Sequence, residues 1–109
     1  MSKNKKNERR EITINGTKHT LPEMSTPEYL DFCDISEEID GVQYYRRQHF
    51  TKMAEGLALA YGNQFTADDV IASLKPADII LEFSMLEVSL LQEVDSKAEE
   101  IAENFTSST

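Results

Sequence analysis

The stretch from Lys75 to Phe105 constrains this chain more than any other. Pro76-Ala77-Asp78 opens it as a helix-entry signal. Apolar residues then recur at Ile79, Phe83, Leu86, Leu90 and Val94, and Ala98, Ile101 and Phe105 continue the series. Steps of three or four residues keep one side of a helix apolar. A second row (Ile80, Leu81, Met85, Val88 and Leu91) widens the apolar surface beyond a narrow seam. So long a helix in a chain of 109 residues is expected to be the surface on which the other elements pack. It is also expected to leave apolar surface for a partner.

A chain this short holds one small domain and no second core. The formal net charge is -9, and it is unevenly placed. Lys3, Lys5, Lys6, Arg9 and Arg10 against Glu8 make residues 1–10 a basic head, which leaves -13 on the remainder. A body this acidic repels phosphate backbones and anionic lipid, so neither nucleic acid nor membrane is an expected partner. The head is expected to be a disordered, solubilising leader. Cys33 is the single cysteine, which rules out an intramolecular disulfide. No apolar h-region follows the basic head, and no apolar run approaches the ~20 residues that span a bilayer. A cytosolic protein is the expectation.

The remaining elements follow in order. Glu11-Ile12-Thr13-Ile14 and Thr17-Lys18-His19-Thr20-Leu21 alternate around Asn15-Gly16, which is the signature of a type I′ hairpin. Two strands alone are marginal in water, so the hairpin must dock on a helix or pair with another chain. Ser25 with Glu28 fits a capping box, while Thr26 with Pro27 offers a second way to start the same helix. Gly41 suits its C-terminal cap. A second helix is placed from about Val42 to Ala60, with Ala54 and Ala58 allowing close approach and Gly56 weakening it by roughly 1 kcal/mol relative to alanine. Thr66 caps a short helix with Asp68 and Asp69 in its first turn. The fold class is therefore mainly α: a small N-terminal β-hairpin (11–21) followed by a bundle of about four helices (26–39, 42–60, 66–74 and 76–104), the last one longest, with residues 11–105 as the domain and 106–109 as a frayed tail.

No catalytic constellation emerges. His19 and His49 are the only histidines, and neither HxxxH nor CxxC spacing is present, so no metal site is expected. His19 reads as an exposed strand residue, and His49 as a helix surface position or a partner in a local carboxylate pair. Cys33 reads as a small buried hydrophobe rather than a nucleophile. The four glycines are scattered among turns and one helix rather than gathered into a phosphate loop. The chain reads as a non-enzyme without a cofactor. Arg46, Arg47 and Lys52 are expected to pair with carboxylates. The remaining interest lies in Phe83, Leu86, Leu90, Leu91, Val94, Ile101 and Phe105 as contacts for another chain. The helix beyond Leu90 is the better candidate, because few apolar segments remain to cover it.

The order of features resembles a known family. A basic head leads to Ile12-Thr13-Ile14-Asn15-Gly16 and Leu21-Pro22-Glu23-Met24. Thr26-Pro27-Glu28-Tyr29-Leu30-Asp31-Phe32 follows, and Tyr61-Gly62-Asn63-Gln64-Phe65-Thr66 precedes a short acidic helix and an apolar one. From Glu11 to Val94 this is similar to the tail assembly chaperones of long-tailed, siphovirus-type bacteriophages of Gram-positive bacteria. The resemblance implies a non-virion protein of the infected cell's cytoplasm. Such a protein binds the tape measure protein, keeps it soluble and helps recruit the major tail protein as the tail tube forms. It also implies a homo-oligomer, and often a second, longer product made by ribosomal frameshifting. The family has no catalytic residues to carry over. The alternative is an acidic phage-encoded regulator or adaptor that binds a host protein, which would need a dense row of carboxylates on one outer surface.

Overall fold

In the computed structural model, which describes residues 10–107 and the side chains of residues 10–91, a two-stranded hairpin precedes four helices. Strands β1 (Glu11–Ile14) and β2 (Thr17–Thr20) pair antiparallel, with Ile12 opposite His19 and Ile14 opposite Thr17. Asn15 and Gly16 take φ values of 52° and 81°, the pair of positive angles that a type I′ turn requires. Ile12 and Ile14 are buried on one face, as the alternation predicts.

Docking on helices stabilises this small sheet. The Asn15 backbone N–H donates to Ser73 Oγ at 2.9 Å. Gln64 Nε2 donates to the Thr20 carbonyl at 3.0 Å, and the His19 ring lies 5.0 Å from that of Phe65. His19 is therefore half-buried rather than an exposed strand residue.

Helix α1 (Thr26–Ile39) begins at Ser25, whose hydroxyl accepts the Glu28 N–H while the Glu28 carboxylate accepts the Ser25 N–H at 2.9 Å. Of the two start signals in the sequence the capping box prevails, and Pro27 lies in the first turn. The serine contacts also hold the Glu28 carboxyl below the usual range.

Helix α2 (Arg47–Ala60) starts five residues later than the predicted Val42. His49 Nδ1 accepts the Arg46 backbone N–H at 2.9 Å, so the start is fixed where an acceptor reaches back three residues. The histidine serves the helix end rather than a carboxylate pair. Tyr45, counted towards this helix by its apolar spacing, lies before it and is exposed, with its ring 6.1 Å from that of His49 and 6.3 Å from that of Phe50. The helix ends in a Schellman motif: Asn63 N–H donates to the Ala58 carbonyl at 2.8 Å and Gly62 N–H to Leu59 at 3.0 Å, with Gly62 at φ 69°.

Helix α3 (Ala67–Ser73) carries its own capping box, Thr66 with Asp69. Helix α4 (Pro76–Ser107) follows directly and is longest, running three residues past the predicted end.

The hub of the packing is α2, not α4. It packs on α1, α3 and α4 and buries Met53, Leu57 and Ala60 along with the small residues Ala54 and Ala58. Gly56 explains the closeness of α4. A Cβ built there would stand 2.7 Å from Phe83 Cε1 and 3.4 Å from Ile35 Cγ2. The Phe83 ring thus lies over the glycine and 5.4 Å from the ring of Phe32, joining α4 to both α2 and α1. Phe32, Leu57, Tyr61, Val70 and Leu86 complete the centre, and none of the buried residues described is charged.

Candidate functional site: the outer face of the long helix

The two apolar rows of α4 have opposite fates. Ile79, Phe83 and Leu86 are buried, the last two at 1% and 0% exposure, while Ile80 and Leu90 pack half-buried against the core. Leu81, Met85, Val88 and Leu91 stand 53%, 44%, 54% and 40% exposed. Leu81, Met85 and Val88 each follow an inner-row residue by two positions, which turns a side chain by about 200° around a helix axis. Leu81, Met85 and Val88 therefore form a separate face on the far side of the helix, whereas Ile80 of the same row stays half-buried against the core.

The outer row borders a groove against α1. Cys33 from α1, with Val88 and Leu91 from α4, forms its apolar floor above the buried Phe32, and Glu37, Asp40 and Glu87 its acidic rim. The groove has a volume of about 470 Å³. Ser36 Oγ donates to the Glu87 carboxylate, a bond that ties the two helices together within the groove. Val88 also borders a shallow depression with Ser84 and Met85, which extends the apolar surface along α4. Near Met85 the chain entering the hairpin contributes a charge. Arg10 Nη2 lies 3.3 Å from both Glu82 Oε1 and Met85 Sδ.

Behind that ion pair lies Tyr61, only 1% exposed, whose hydroxyl has no hydrogen-bond partner among the described residues. Burial pushes this hydroxyl up to about 12; nearby Arg10 pulls the other way, and Glu82 and Glu11 add to the rise. A second pocket of about 270 Å³ lies where α2, α3 and α4 meet, lined by Phe50, Ile71, Leu74 and Ile79 with Arg47 at its edge. Lys52 bridges Glu38 at 3.6 Å and Glu55 at 3.5 Å, so of the pairing foreseen for Arg46, Arg47 and Lys52 the structure shows that of Lys52. These are exposed pairs and contribute at most about 1 kcal/mol each.

The structure divides the seven interaction candidates. Phe83 and Leu86 are core residues, already covered within the chain. Leu90 packs on the core edge, and Leu91 is exposed in the groove. Val94, Ile101 and Phe105 lie outside the residues whose side chains are described. Leu81, Met85 and Val88 are exposed residues of the second row that stand outside those seven, and their two-residue offset was the signal for them. Cys33 is half-buried in the groove rather than buried in the core. Among the described residues no group of three or more His, Cys, Asp or Glu side chains could hold a metal ion, and no helix is long and apolar enough to cross a membrane.

No protein-family model matches the chain, and no significantly similar curated protein or solved structure was found.

Proposed function

We propose that this chain is a tail assembly chaperone of a long-tailed bacteriophage, a protein that binds the tape measure protein and helps recruit the major tail protein as the tail tube grows. The observation that carries the reading is the exposed row Leu81, Met85, Val88 and Leu91 on a helix that continues to Ser107. A tape measure helix bears a long apolar stripe that needs cover until the tube encloses it. Leucine, methionine and valine on a helix face can cover such a stripe without demanding one exact sequence, because Met and Leu repack readily. The inner row anchors α4 to the body, so the outer row is presented on a supported helix. A chain of net charge -9, with its acids in the body, keeps the complex soluble.

In this reading the protein is not an enzyme, acts in the cytoplasm of the infected bacterium and stays out of the finished virion. Self-association along the tape measure would add weak contacts into avidity, with Val94, Ile101 and Phe105 as sequence candidates for that contact. Co-expression with fragments of the tape measure protein from the same genome tests the proposal. Soluble fragments that co-elute with the chain are the expected result. Fragments left insoluble and uncomplexed would overturn it, and capture of a host regulatory protein instead would favour the acidic adaptor.

A further inference from the structure

We propose that the groove between α1 and α4 receives one helix of a basic amphipathic partner, whose apolar face lies on Cys33, Val88 and Leu91 and whose lysines or arginines meet Glu37, Asp40 and Glu87. The inference deepens the chaperone reading and rests on it for the use of this face. It adds the charge of the occupant.

Charge complementarity argues for that occupant. The groove has an apolar floor and three carboxylates among its lining residues, and no basic side chain lines it among the described residues. Glu87 is held by Ser36 across the groove, so less side-chain freedom is lost when a cation arrives. A second copy of this chain fits poorly. Its own outer row is accompanied on α4 by Asp78, Glu82 and Glu87, and each copy carries -9, so like charges would face one another. A basic helix meets opposite charge instead, and its Lys or Arg stems can lie along the apolar floor while their heads reach the rim.

Cys33 makes the test direct, because it is the only cysteine and lines the groove. The full chain is mixed with one of two synthetic amphipathic helices that share a leucine stripe, one flanked by lysines and the other by glutamates. The rate of Cys33 reaction with a small thiol reagent is then followed. At about ten times its Kd the lysine-flanked helix slows Cys33 by about tenfold, and added salt weakens the protection. The glutamate-flanked helix leaves the rate unchanged. Glu37→Lys with Asp40→Lys reverses the preference, whereas Glu55→Lys with Asp68→Lys, an equal change of charge outside the groove, does not.

Equal protection by both helices, protection by neither, or a preference untouched by the Glu37→Lys and Asp40→Lys pair would overturn the assignment. Tape measure fragments held in solution with Cys33 reactivity unchanged would remove the groove and leave the chaperone reading standing. A groove selective for the basic helix beside insoluble tape measure fragments would do the reverse.

Discussion

The inner and outer rows of α4 are both apolar and differ in what lies opposite them. Phe83 and Leu86 face α2, where Gly56 and neighbouring alanines let the helices approach closely, and both are fully covered. Met85 and Val88, two positions further along the helix in each case, face away from α2 and are about half exposed. Apolar character alone therefore does not mark a core position. Coverage requires a neighbouring element at the right angle, and among the described residues α2 and α1 supply it for the inner face only. The cost of leaving the second face open is an association hazard, and a binding protein turns that hazard to use.

Substitutions that exchange the properties of the two rows should break the comparison if it is wrong. Phe83→Ala should have the largest effect, about 3–5 kcal/mol in a denaturant melt, because it empties the contact with Phe32 and Gly56. A loss under about 1 kcal/mol would mean that the inner row is not core. Raising the pH probes the same covered side through Tyr61. Its hydroxyl, pushed up to about 12 by burial, keeps its proton after the unfolded chain has lost its own near 10. Unfolding then releases a proton, so stability is unaffected below pH 10 and falls by about 2 kcal/mol as pH approaches 12. Tyr61→Phe should remove that part of the alkaline loss; melts with the same slope for both proteins would place Tyr61 in contact with water.

Gly56→Ala sets two effects against each other. Alanine favours the helix by about 1 kcal/mol, but its Cβ would stand 2.7 Å from a fully buried ring, and overpacking of that kind costs about 1–3 kcal/mol. A net destabilisation of about 1 kcal/mol is expected, and a stabilised variant would show that α4 can move off α2 freely. Ser25→Ala removes one half of a capping box and should lower stability by about 1 kcal/mol without touching either row.

Much of the fold was legible because local chemistry and global packing agree there. Asn15-Gly16 specifies its turn, Ser25 and Thr66 with their partners three residues on mark two helix starts, and Pro76 launches α4. The start of α2 was misplaced because Tyr45 extends the apolar pattern into a loop, while the acceptor that fixes the start is His49, a residue type not usually read as a cap. The hub was misplaced for a related reason. Gly56 and the alanines of α2 read as a weak helix, and their value as a seat for Phe83 appears only when α4 is laid against them. Of the binding face, the two-residue offset was present in the sequence, but which row turns inward depends on α2. The acidic rim of the groove joins residues of α1 and α4 that are about fifty positions apart, and no local pattern records that meeting.

The central claim is that the outer row of α4 is a binding face and not an unfinished core. Replacing Leu81, Met85 and Val88 together by glutamine keeps good helix formers at all three positions and removes their apolar surface. Co-expressed with tape measure fragments, this variant should melt within about 0.5 kcal/mol per site of the parent protein and fail to keep the fragments in solution. Fragments that remained soluble and bound to the folded variant would contradict the account.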